Sequence, residues 1–258
     1  MSEHPGVRTE REGAVLVLTF DRADKKNAIT APMYAALADG IEAADRDPAI
    51  RVVLFRSEGD TFSAGNDIAD FVTRGAATGK APVEVMRFLH ALAQARTPLV
   101  AAVQGKAVGV GTTMLLHCDY VLMAEGASLI TPFVNLALVP EAASSLLLPA
   151  RIGHARAFAM FALGEPCGAT DALAWGLANR VVPAATLHEA AGAVAQRLAA
   201  QPPAAVAATK ALMREGSAVL ERMAAEGVHF NAQLRSAEAQ EAFAAFAERR
   251  APDFSRFG

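Results

Sequence analysis

Short, continuously apolar runs alternate along the chain with longer segments whose apolar residues fall three or four apart. Residues 14–20 (AVLVLTF), 51–55 (RVVLF), 99–103 (LVAAV) and 119–124 (DYVLMA) are of the first kind and predict strands. Residues 32–45 and 83–95 are of the second kind, and Met33, Leu37 and Ile41 share one helical face. Strands alternating with helices predict parallel βαβ units and an α/β core, and unbroken apolar strands are those covered on both faces. Residues 21–27 (DRADKKN) read as a charged loop, Ser57-Glu58-Gly59-Asp60 as a turn, and residues 75–82 as a small, Gly-rich, mobile stretch. Residues 62–71 read as a loop entering a helix. Residues 105–111 (GKAVGVG) predict a glycine turn that leads from a strand into a buried helix at 112–117. From Thr186 onward the strand signal stops. Residues 186–200 and 204–248 are Ala-rich and helical, interrupted by Pro202-Pro203 and by Gly216. No internal repeat of fixed period is evident.

The chain has 258 residues, 53% of them hydrophobic and 20% charged. That suffices for a large core and predicts one core domain with an appendage rather than disorder. With 24 basic against 27 acidic side chains, a formal net charge of −3, there is no general attraction to nucleic acid or to an anionic membrane. An anionic ligand would have to be held by local groups. Two cysteines, Cys118 and Cys167, make no disulfide framework, which points to a reducing, cytoplasmic setting. The first thirteen residues lack a signal-peptide core, and no uncharged apolar run reaches about 18 residues.

Several motifs fail. Gly109-Val110-Gly111 would need a third glycine at 114 to make a dinucleotide fingerprint, and that residue is Met114. Gly105-Lys106 is followed by Ala107, so there is no phosphate-binding P-loop. Neither G-x-S-x-G nor H-E-x-x-H occurs, and the six histidines show no ligand spacing, so no metal is expected. His117 lies beside Cys118 on an apolar helix, where adjacent side chains point apart, and reads as core. Three features remain. The glycine loops Ser63-Ala64-Gly65-Asn66-Asp67 and Val108-Gly109-Val110-Gly111 each lead towards a helix. Facing one another, they would offer one backbone N–H apiece to a single oxygen, an oxyanion hole; equally, they are two tight turns required by packing. The third feature is Glu141, the only ionisable residue of residues 131–149 (TPFVNLALVPEAASSLLLP). Buried among apolar neighbours it would have a raised pKa and serve as a base near neutral pH. As a Pro-Glu pair it would equally open a helix.

In order and spacing, Asp21-Arg22-Ala23-Asp24-Lys25-Lys26-Asn27-Ala28, Phe62 to Asp67, Ala102-Val103-Gln104-Gly105-Lys106-Ala107-Val108-Gly109, Cys118-Asp119 and Trp175-Gly176-Leu177 together resemble the crotonase superfamily, the enoyl-CoA hydratase/isomerase family. The resemblance spans nearly the whole chain. It implies a crotonase-like α/β spiral of ββα units over residues 1–195. It also implies a helical C-terminal trimerisation region over residues 196–258, giving homotrimers or hexamers built as dimers of trimers. It further implies an acyl-CoA thioester substrate, with CoA part of the substrate and no separate cofactor. By motif position the oxyanion donors would be the backbone N–H groups of Asn66 and Val110. Lys25 and Lys26 would lie near the CoA phosphates. Ala64, Gly65, Asn66, Asp67 and Ile68, with Gly109, would line the pantetheine and adenine end. Asp67 would cap a helix, Asp119 would satisfy buried backbone, and Lys210 would be a phosphate contact.

Hydratases of the family use two glutamates to split water. Those positions here hold Thr113 and Phe133, and neither is an acid or base near neutral pH. Glu141, with Asn-Asp after Gly65, resembles instead the Δ3,Δ2-enoyl-CoA isomerases, in which one glutamate moves a proton between two carbons. Phe133, Leu136 and Leu138 would help exclude water. The alternatives are an enoyl-CoA hydratase or other crotonase reaction with an unusual acid/base set, or a non-catalytic acyl-CoA-binding homologue.

Overall fold

The computed structural model describes residues 6–69, 83–214 and 216–257. Its main sheet has six strands in the order β1-β2-β3-β4-β6-β9: β1 Val7–Glu12, β2 Val15–Phe20, β3 Val52–Ser57, β4 Leu99–Val103, β6 Tyr120–Ala124 and β9 Arg180–Val182. Only β1 runs antiparallel to its neighbour. From β2 onward every pairing is parallel, with Val15 opposite Val52 and Val100 opposite Tyr120. β2 and β4 are buried along their whole length, as their unbroken apolar sequence predicts. A small second sheet, β5-β7-β8, comprises β5 Lys106–Val108, β7 Ser128–Ile130 and β8 Cys167–Gly168.

β1 carries no apolar run. It forms because it is an edge: Arg8 bonds Glu10, Asp21 and Glu58, and Arg56 reaches Glu10 and Glu12, so charge covers the strand that ends the sheet. Helix α1 (Ala31–Arg46) begins with Pro32 in its first turn and buries Met33, Leu37 and Ile41. It packs on α2 (Val83–Gln94), which buries Val85, Phe88, Leu89 and Leu92. The turn after β5 opens α3 (Val110–Thr113), which tightens into a 3₁₀ turn over Met114–His117. α4 (Ser144–Ile152) and α5 (His154–Phe158) follow the Glu141 segment, and α6 (Ala169–Ala174) precedes β9. α7 (Leu187–Ala199) lies against β2, β3, β4 and β6.

Beyond α7 the regular elements of the described chain are helices: α8 (Pro203–Met213), α9 (Gly216–Leu234) and α10 (Ala237–Ala247). The break between α9 and α10 is not marked by Pro or Gly. Ser236 makes it, its hydroxyl accepting the Ala239 N–H at 3.0 Å. The stretch 75–82, expected to be mobile, and the helix expected to run on from residue 69 lie outside the described residues. Among the described residues no helix is long and apolar enough to cross a membrane.

Candidate active site

The two glycine loops are in direct contact, and glycine is what allows it. Gly65 has φ +83°, and a Cβ there would fall 2.7 Å from the Val108 carbonyl oxygen. Gly111 sits nearly as close, its would-be Cβ 3.0 Å from the Ser63 carbonyl oxygen. Ser63 is the joint: its N–H donates to Lys106 O, its carbonyl accepts from Val108 N–H at 2.9 Å, and its hydroxyl donates to Asn27 O at 2.8 Å. The backbone on either side of Asn66 is pinned to Ile29, through Ile29 N–H to Gly65 O at 2.7 Å and Asp67 N–H to Ile29 O at 3.0 Å. This leaves the Asn66 N–H itself unused. Gly109, at φ +55°, starts α3 and accepts from Thr112 and Thr113, so Val110 is the first helical residue and its N–H also has no helical partner. Among the described residues neither the Asn66 nor the Val110 amide donates a hydrogen bond. Both residues line one cavity of about 320 Å³.

Glu141 lines the same cavity. It does not open a helix, because α4 begins three residues later at Ser144. Its Oε1 accepts the Thr113 hydroxyl at 2.5 Å, and its Oε2 accepts no hydrogen bond among the described residues. Burial pushes the carboxyl up to about 8, the Thr113 hydroxyl opposes, and the nearby Glu226 charge adds to the rise. The rest of the wall is mainly apolar, with Val85, Met86 and Leu89 from α2 and Met223, Val228 and Phe230 from α9, while Glu226 and Asn231 of α9 add polar side chains. Phe133, Leu136 and Leu138, expected to keep water out, are not in this wall. Phe133 packs on Phe161, ring centroids 6.1 Å apart, and belongs to the core.

The remaining predicted residues divide. Lys25 is exposed in a 3₁₀ turn, and Lys26 is exposed and paired with Asp60 at 2.8 Å. The Lys26 carbonyl accepts the Ala64 N–H, which ties the basic loop to the first glycine loop. Asp67 accepts the Arg22 guanidinium at 2.7 Å, and Ile68 is partly exposed beside it. Asp119 serves buried backbone as expected, accepting the Leu99 N–H at 2.8 Å. Lys210 does not reach outward for a phosphate. It is buried, donating to Asp119 at 2.7 Å and to Thr97 O at 2.9 Å, because an ammonium inside the fold must be paired. His117 is core: its Nε2 lies 2.8 Å from Ala142 O, and burial lowers it to about 3.

Two site residues escape sequence reasoning. Tyr34, buried, donates to Asn66 Oδ1 at 2.5 Å, and burial together with the Glu141 charge raises its pKa. Its place on the apolar face of α1, beside Met33 and Leu37, makes it look like core. Glu226 sits in an Ala-rich helix where acidic residues are ordinarily solvated, yet it is buried and lines the cavity.

The fold and this constellation define a class: an α/β protein in which two free main-chain amides and an enclosed carboxyl line one mainly apolar cavity, suited to a carbonyl compound whose oxygen takes on negative charge. The sequence profile of the enoyl-CoA hydratase/isomerase family matches residues 10–256. Enoyl-CoA delta isomerase 2 of Rattus norvegicus is 33% identical over 83% of this chain, which spans about half (55%) of that relative's length. Carnitinyl-CoA dehydratase of Salmonella typhi is 35% identical over 94% of this chain and 95% of its own. The crystal structure of an enoyl-CoA hydratase/isomerase from Pseudoalteromonas atlantica superposes with a TM-score of 0.91 at 42% identity, covering 97% of this chain and all (100%) of that one. The chain belongs to the enoyl-CoA hydratase/isomerase family and has the crotonase fold.

Proposed function

We propose that the protein is a Δ3,Δ2-enoyl-CoA isomerase with Glu141 as its base. The observation that carries this is the Glu141 carboxyl, one oxygen of which accepts no hydrogen bond among the described residues, sharing a mainly apolar cavity with two free amides. The ionised Glu141 removes a proton from C2 of a 3-enoyl thioester. Electrons move into the dienolate, whose thioester oxygen is bound by the N–H groups of Asn66 and Val110. Each such donor is worth about 3–4 kcal/mol in the transition state. Glu141 then returns the proton to C4, and the double bond moves from C3–C4 to C2–C3. Atoms balance without water, and the apolar walls suit that. A carboxyl raised to about 8 is a stronger base than an ordinary glutamate, which helps it take the proton from C2. Lys25, Lys26, Asp67 and Ile68 would bind the CoA end.

The dehydratase relative favours a second reading, addition or loss of water. Against it, Thr113 and Phe133 supply no carboxyl, and the second carboxyl at the cavity, Glu226, has both oxygens bonded to main-chain amides. The deciding experiment is a panel of 3-enoyl and 2-enoyl CoA thioesters with the wild type and Glu141→Gln. The isomerase forms the conjugated product from 3-enoyl esters and leaves crotonyl-CoA unhydrated, and Glu141→Gln loses about 100- to 10,000-fold in turnover. Full activity of Glu141→Gln, or rapid hydration of crotonyl-CoA, sinks the reading. We further propose assembly with copies of itself, since Phe158, Leu163, Leu212, Met213 and Phe246 are exposed on the single chain. Light scattering at a monomer's mass would refute that.

A further inference from the structure

The turn that carries Glu141 is strained and is held from two sides. Ala142 and Ala143 both adopt left-handed backbone, φ 60° and 56°, which alanine takes up only where its surroundings enforce it. From the core, His117 Nε2 donates to the Ala142 carbonyl at 2.8 Å. A carbonyl only accepts, so Nε2 carries the proton and Nδ1 is bare. From α9, Glu226 Oε2 accepts the Ala143 N–H at 2.6 Å and Oε1 accepts the Ser145 N–H at 2.9 Å. These amides stand at the N-terminal end of α4, where the helix dipole favours a negative partner. Apolar packing by α9 would close the cavity more cheaply than a buried carboxylate does, and the proton transfer itself does not employ Glu226. Its retention calls for another role.

We propose that Glu226 is the positioning residue for Glu141: it fixes the strained 141–145 turn and places a second negative charge beside the base. The inference rests on Glu141 being the base. The groups facing Glu141 are few: Thr113 from α3, which lowers its proton affinity, Tyr34 from α1, and Glu226 from α9, which raises it. Facing Glu226 are the Ala143 and Ser145 amides, the Ser145 side chain and, one turn back on α9, Arg222. Across the cavity, α2 contributes Val85, Met86 and Leu89, none of them titratable. His117 is neutral throughout the working range.

Glu226→Gln keeps the size of the side chain and removes its charge. Two readouts are used: infrared titration of the Glu141 carboxyl, identified by its loss in Glu141→Gln, and the pH dependence of kcat on a 3-enoyl-CoA. In Glu226→Gln the Glu141 midpoint should fall by about one pH unit, and kcat should fall about tenfold with KM nearly unchanged. Glu226→Asp keeps the charge but is one methylene short. It should hold the wild-type midpoint and still lose kcat. A Glu226→Gln protein that melts lower yet titrates at the wild-type midpoint overturns the proposal. If Glu226→Gln does not fold, the titration is made with Ala142→Gly and Ala143→Gly added, glycines that accept the left-handed turn. A wild-type midpoint there overturns it equally. The infrared titration needs no turnover, so inactivity of the wild type on 3-enoyl esters would reject the isomerase reading while the Glu226 coupling is still decided.

Discussion

Replacing Thr113 with valine probes the base without touching its carboxyl. The two side chains are nearly the same shape, so the change removes one hydroxyl from a fully enclosed position. That hydroxyl donates to Glu141 Oε1 at 2.5 Å. A hydrogen bond to an ionised group inside a protein is worth about 1.5–3 kcal/mol, and part of it survives when the carboxyl is neutral. A net difference of about 1.4 kcal/mol between the two protonation states corresponds to about one pH unit. The sign follows from the donor: the hydroxyl favours the ionised carboxyl, so losing it raises a proton affinity that already stands at about 8. The base must be ionised to start the reaction. The acid limb of kcat/KM on a 3-enoyl-CoA therefore moves up by about one pH unit, activity at pH 7 falls about tenfold, and the plateau above the limb changes little. Absorbance of the conjugated product across a pH series reads this directly, with Thr113→Ser as the control that keeps the hydroxyl. An acid limb for Thr113→Val that overlays the wild type would refute the reasoning.

Three other outcomes are expected. Glu141 has a folded-state pKa near 8, above its ordinary 4.5, so the stability gained by keeping it neutral is complete below about 4.5 and is lost as the pH rises through 8. The melting temperature of Glu141→Gln relative to wild type should therefore rise steadily between those limits, and a constant difference would contradict it. Gly65→Ala forces a Cβ to 2.7 Å from Val108 O at φ +83° and should cost about 2–4 kcal/mol in urea unfolding, with about a hundredfold loss in kcat as the Asn66 amide shifts. Lys210→Met takes the donor from the buried Thr97 carbonyl and should cost about 1–3 kcal/mol of stability while KM for acyl-CoA stays at the wild-type value; a raised KM would restore Lys210 to the phosphates.

Much of the frame is legible in the chain because it is local. Apolar runs such as 99–103 can only be strands covered on both faces, and the spacing of Met33, Leu37 and Ile41 can only bury one side of a helix. Glycines at 65 and 109 mark turns that no other residue takes comfortably, and an isolated carboxyl at 141 stands out in an apolar segment. What pattern alone does not reveal is which distant groups meet. β1 forms from a charged segment because β2 offers it an edge. Lys210 is drawn inside by Asp119, 91 residues away in sequence. Tyr34 and Glu226 come to the site from α1 and α9, one bonding Asn66 and the other Ala143, although their local sequences mark one as core and the other as solvated surface. Backbone preference and amphipathic period act over a few residues and so can be read in order. Burial, proton affinity and the holding of a strained turn depend on what the fold carries across space, and only the tertiary structure decides them.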